Sequence, residues 1–142
     1  MFLSSTVWGP HYWFVLQTIS MTYPETPNET IKKHYYNLIQ NLPLFIPNKK
    51  MSKNFEYLLN EFPISPYLSS RLSFMKWVHF IHNKINKKIG KKEINFFKDL
   101  EKYYSNYIPE KTKKKEQFQK MKLYTSFFSG ICIIIYLWYK YK

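Results

Sequence analysis

The stretch Trp77-Val78-His79-Phe80-Ile81-His82-Asn83-Lys84-Ile85-Asn86-Lys87-Lys88-Ile89-Gly90-Lys91 decides how this chain folds. His79, His82, Asn83 and Asn86 recur at spacings of three and four, which lines them up on one face of a helix. Leu72, Met75 and Val78 continue an inner side with His79 and His82, and Gly90 is well placed to end the helix. We expect it to run from about 67 to 88, with Ser65 as its cap and Pro66 in the first helical position. Polar groups on a face shared with Trp77 and Val78 need partners, because burying one unpaired costs about 1–3 kcal/mol. Two readings of that face stand open. In one it offers donors and acceptors to a polar ligand, with Lys87 or Lys91 meeting a phosphate; in the other its histidines bond neighbouring helices.

Working outward, the preceding segments show the same period between proline and asparagine punctuation. Trp13, Leu16 and Ser20 mark a first helix closed by Pro24 and Pro27. Asn28 caps a second, carrying Ile31, Tyr35, Leu38 and Ile39 ahead of Pro43. A third starts at or near Asn48 after Pro47, shows Met51, Phe55, Leu58 and Leu59, and stops before Pro63. A shorter piece covers about 95–104. Nothing alternates with period two for long enough to make a strand, so the expected class is all-α, a compact bundle of four to five helices over residues 1–108.

Beyond the bundle the composition changes. Residues 111–142 carry 8 basic and 1 acidic residue, against 14 and 8 in residues 1–110. Within them, Leu123 to Tyr139 holds 17 residues without a charge. As a helix that run would be about 25 Å long, the short end of what spans a hydrocarbon core. Lys122 and Lys140 at its ends can snorkel, and Tyr124, Trp138 and Tyr139 fall where aromatic belts form. We therefore expect a basic juxtamembrane linker over 109–122 and a transmembrane helix over 123–139. Six lysines from Lys111 to Lys122 outnumber Lys140 and Lys142 beyond the span, which keeps the N-terminal domain cytoplasmic in a single-pass arrangement. Those lysines then meet anionic lipid headgroups, and nucleic acid is not an expected partner. The opening MFLSSTVWGP lacks the basic n-region of a secretory signal.

Several chemistries are excluded by what is missing. Three glycines and no G-x-G-x-x-G leave no glycine-rich phosphate loop. The one cysteine, Cys132, allows no intramolecular disulfide and no cysteine-based metal site. No acid lies near His79 and His82 in sequence to complete a zinc site, and His11 and His34 are distant, so no metal is expected. Glu56 and Glu61, five apart, do not share a helix face as a carboxylate pair, and no acid is spaced as an orienting partner for a histidine.

Two blocks together carry a resemblance. Trp8-Gly9-Pro10-His11-Tyr12-Trp13-Phe14-Val15-Leu16-Gln17-Thr18 with Tyr23-Pro24-Glu25-Thr26-Pro27, and Trp77 followed by His82-Asn83-Lys84-Ile85-Asn86-Lys87-Lys88-Ile89-Gly90-Lys91, resemble the Erv/ALR family of FAD-linked sulfhydryl oxidases, particularly members encoded by large DNA viruses. The likeness covers roughly residues 7–104. It implies a bundle holding FAD, with a CxxC pair at the start of the third helix passing two electrons from a dithiol to the flavin and on to oxygen. By position, Trp13 and Trp77 would flank the flavin and adenine, His82, Asn83 and Asn86 would bond the cofactor, and Lys87 and Lys91 would approach its phosphates or ring. Gln17 stands where the family has a histidine, and His79 where other members have a variable apolar residue or a cysteine. Asn48 and Met51 occupy the two CxxC positions, and neither can form a thiolate or a disulfide. The family's second disulfide would fall at Phe96, with Ser73 or another non-cysteine residue near Trp77 opposite it.

These features lead us to expect a catalytically degenerate, membrane-anchored pseudoenzyme of this type, a structural or adaptor protein in viral assembly with a virion membrane as its site. The alternative is an FAD-binding oxidoreductase, or an accessory to thiol oxidation that works with the cysteines of a partner protein. Family members often pair through their first helices, and Tyr12, Phe14 and Ile19 could supply a homodimer face.

Overall fold

The computed structural model describes residues 3–141. Among them are six α-helices, two 3₁₀ turns and no strand: α1 Ser5–Met21, α2 Glu29–Asn41, a turn Leu42–Phe45, α3 Lys49–Glu61, a turn Ser65–Ser69, α4 Arg71–Lys88, α5 Phe96–Ser105 and α6 Glu110–Lys140. The all-α expectation holds. The helix count is six, where a bundle of four to five with one more behind it was expected, and residues 110–122 continue without a break into the apolar run.

The helix starts follow local chemistry. Asn28 Oδ1 accepts from the Ile31 amide at 2.9 Å and Asn48 Oδ1 from the Met51 amide at 3.0 Å, each satisfying a donor the helix cannot. The start of α4 differs from expectation. Ser70, not Ser65, caps it, its hydroxyl accepting from the Ser73 amide at 3.3 Å. Pro66 instead opens the 3₁₀ turn, where its missing N–H does no harm. At the far end Gly90 takes φ 75°, which an L side chain resists. This lets Lys91 N–H reach Asn86 C=O at 2.8 Å and Gly90 N–H reach Lys87 C=O at 3.2 Å, a Schellman cap.

The chain divides into two compact units, the first ending at Tyr103. In the first, α4 is the central element. Phe74, Trp77, Val78 and Ile81 are its buried stripe, a different face from the one the sequence suggested, since Leu72 is 51% exposed. Around Phe74 the rings of Tyr23 and Tyr35 stand edge to face at 5.2 and 5.9 Å, the arrangement ring quadrupoles favour. Tyr23 and Trp77 bring polar atoms into this core and both are satisfied: Tyr23 donates its hydroxyl to Leu68 C=O at 2.9 Å, and Trp77 its indole N–H to Phe62 C=O at 3.1 Å. Leu16 of α1, Ile39 of α2 and Phe55, Leu58 and Leu59 of α3 complete the cluster.

The second unit contains α6. Its 31 residues make a rod of about 46 Å, and none of them is buried. Among the described residues it is the one helix long and apolar enough to cross a bilayer.

Candidate functional site

Two separate recesses lie along the α1–α4 contact. The larger is a cleft between α1, the Leu42–Phe45 turn, α3 and the end of α4, with about 590 Å³ of space including its open mouth. Trp8, Tyr12, Trp13, Phe55 and Ile85 give it aromatic and aliphatic walls, Met51 sits in the α3 wall, and Lys88 is its one charged lining residue. Tyr12 is fixed there by donating its hydroxyl to Phe45 C=O at 2.6 Å. Trp13 lies flat against His82, with ring centroids 4.2 Å apart and planes 20° from parallel.

The smaller recess is polar and lies farther along α1. Gln17 and Ser20 of α1 face His79 of α4 and Phe96, Asp99 and Leu100 of α5 across it. Asp99 is only 5% exposed. One of its oxygens, Oδ2, lies 2.9 Å from His79 Nδ1 and 3.8 Å from His82 Nδ1. Burial pushes the Asp99 carboxyl upward, but the two histidines, His82 foremost, outweigh it and hold the carboxyl below its usual range. Asn83 completes the cluster: its amide donates to Ile94 C=O at 2.8 Å, accepts from Ile94 N–H at 3.0 Å, and lies 3.0 Å from His79 Nε2. The segment leading into α5 is thereby stapled to α4. No buried side-chain nitrogen or oxygen among the described residues is left without a partner, and no group of three His, Cys, Asp or Glu there could hold a metal.

A family model described as the Erv1 / Alr family matches residues 10–105. The chain belongs to the Erv1/Alr family. It is 30% identical over 110 residues to a probable FAD-linked sulfhydryl oxidase of Acanthamoeba polyphaga mimivirus, covering 77% of each chain. It is 27% identical over 90 residues to a putative FAD-linked sulfhydryl oxidase of Invertebrate iridescent virus 6, covering 60% of this chain and 81% of that one. Against the sulfhydryl oxidase of Arabidopsis thaliana identity is 29%, and the match spans 42% of that longer protein. The crystal structure of the FAD-binding domain of Erv1 from Saccharomyces cerevisiae superposes with a TM-score of 0.63 over 67% of this chain and 89% of that one, at 24% identity, which shows a common fold.

Within this Erv1/Alr fold the residues singled out in the sequence separate. Trp13 and Met51 line the cleft, and His82 stacks on Trp13 without lining it. Asn48 lies outside the lining, exposed and spent on its cap. Gln17 faces the polar recess instead. Trp77 is a correction: at 2% exposure, its indole N–H bonded to Phe62, it has no surface to offer a ligand. Asn83 is likewise committed to Ile94, and Asn86 is buried beneath the cap of α4. Lys87 and Lys91 are exposed and outside the lining, whereas Lys88 borders the cleft. Of the open readings of the α4 face, contact with neighbouring helices describes His79 and Asn83, and His82 as well, stacked on Trp13 of α1 and facing Asp99 of α5. Phe96 meets His79 edge-on, with ring centroids 5.4 Å apart. Tyr12 donates its hydroxyl to Phe45 C=O, Phe14 stacks on Tyr103 at 5.1 Å and Ile19 packs against the core cluster.

Asp99 is the residue the sequence reading passed over. A usable signal was present: Phe96, Asp99, Leu100 and Tyr103 fall at 0, 3, 4 and 7 along α5, which puts a carboxylate on its apolar stripe.

Proposed function

We propose that this chain is a membrane-anchored FAD-binding member of the Erv1/Alr family that acts on the cysteines of a partner protein and has no dithiol of its own. The observation that carries the reading is the cleft. It combines apolar, aromatic walls with a single cation at the rim, the kind of lining small-molecule sites use. Trp13, backed by His82, would offer its ring face to a flat ring system, and Lys88, with Lys87 and Lys91 on the exposed surface beyond it, would meet phosphate. FAD held there would supply a two-electron acceptor for a pair of partner thiols closing to a disulfide. Met51, at the wall where the family places a thiol, excludes water from that side and leaves the mouth to the incoming cysteines.

Support for the anchor comes from α6, and the lysines at 111–122 favour a cytoplasmic domain against an anionic leaflet. A second reading, a structural or adaptor role at a viral membrane without flavin, is favoured by one observation. At 4.2 Å Trp13 and His82 already stack on each other, leaving no room for a ring between them.

Full-length protein purified in detergent should carry the yellow visible absorbance of an oxidised flavin. It should oxidise no small dithiol until Asn48→Cys and Met51→Cys are introduced together. Colourless protein that stays so after incubation with excess FAD favours the adaptor reading, and thiol oxidation by the unaltered chain overturns the absence of intrinsic activity.

A further inference from the structure

We infer that Asp99 is a positioning residue for the aromatic wall of the cleft, holding the His82 ring against Trp13 from behind. Asp99 sits in the first turn of α5, where the helix dipole already favours a carboxylate. That preference is met equally well at the surface and does not account for burial to 5% exposure. What does account for it is a pair of imidazoles three residues apart on α4, whose Nδ1 atoms both face the same oxygen, Oδ2.

The two histidines play different parts, and Asn83 shows which is which. The Ile94 backbone fixes the Asn83 amide, its oxygen taking the Ile94 N–H and its nitrogen facing the Ile94 C=O. The Asn83 nitrogen is therefore the donor to His79 Nε2, so Nε2 is unprotonated and Nδ1 carries the hydrogen given to Asp99. His79 is thus a hydrogen-bonded link between Asn83 and Asp99. His82 is the freer of the two. Its Nδ1 is 3.8 Å from the carboxylate, an electrostatic contact, and its ring face lies on Trp13. From α1, the uncharged Gln17, Ser20 and Met21 line the recess beside Asp99. The carboxylate therefore links the two recesses, which share no lining residue: anchored through His79 and α5 on one side, it holds His82 against Trp13 of the cleft wall on the other.

The inference deepens the reading of this cleft as a ligand site, but its test needs no ligand. An imidazole stacked on an indole, above all a protonated one, quenches indole emission by accepting charge from the excited ring. In flavin-free full-length protein in detergent, His82→Leu should brighten tryptophan emission, and Trp13→Phe in the same background should abolish that gain, assigning it to Trp13. Asp99→Asn, which keeps the side chain's size and an acceptor for His79, should recover at least half of the gain with helicity unchanged. Asn83→Ala, which loosens the Ile94 staple but leaves the Asp99–His82 contact, should leave emission as in the parent. Asp99→Asn as dim as the parent overturns the inference, and so does Asn83→Ala brightening as much as Asp99→Asn, since general loosening would then explain both.

Discussion

Two helices of this chain, α4 and α6, are both rich in large apolar side chains and meet opposite fates. In α4, Phe74, Trp77, Val78 and Ile81 fall on one stripe and are covered by protein. In α6 the apolar residues run all round, and Phe127, Phe128, Ile134, Tyr136 and Trp138 are each more than 60% exposed. Periodicity, more than hydrophobicity, separates them. A stripe can be satisfied by neighbouring helices, whereas a cylinder apolar on every side asks for an apolar solvent.

If the two helices are stabilised by different surroundings, damage to one should not spread to the other. The largest effect is expected from Phe74→Ala, which empties a fully buried site beside Tyr23, Tyr35 and Trp77. It should cost about 3–5 kcal/mol of bundle stability, read from denaturant unfolding, without releasing the protein from membranes. Next, Ile134→Lys should raise the cost of inserting α6 by about 3 kcal/mol, seen as loss of resistance to alkaline extraction with the bundle's unfolding midpoint unmoved. Crossover in either experiment would break the comparison.

Smaller effects sharpen it within the bundle. The Asp99 carboxyl lies below its ordinary value of 3.8: burial raises it, and His82 and His79 together lower it by more. A carboxyl depressed on folding stabilises the native state above the unfolded pKa and loses that contribution as pH falls through the folded one. The advantage of the parent over Asp99→Asn in thermal midpoint should therefore shrink as pH falls below about 4 and the carboxyl takes up its proton. Smallest is Asn48→Ala, which removes the cap of α3 and should cost about 1 kcal/mol in the same unfolding measurement.

Much of this was legible in the sequence, for identifiable reasons. The caps at Asn28 and Asn48 and the stop at Gly90 are local, and local chemistry decided them. The boundary at Ser65 failed because Ser65-Pro66 and Ser70 offer the same kind of signal five residues apart, and the first opens a 3₁₀ turn. The face of α4 was misjudged because Leu72, Met75 and Val78 make one helical stripe and Phe74, Trp77, Val78 and Ile81 another, with packing choosing the second. Trp13 and His82 were named as parts of one site and do meet. Local spacing could place Asp99 on the apolar stripe of α5 but could not name its partners, which lie 17 and 20 positions away on another helix.

The unbroken course of α6 from Glu110 to Lys140 sets its lysines around a single axis. At about 100° per residue, Lys111, Lys114, Lys115 and Lys122 fall within an arc of about 100° on one side of the rod, with Lys113 and Lys120 nearly opposite. An anionic surface beside such a rod would therefore favour one rotation about its axis over the others.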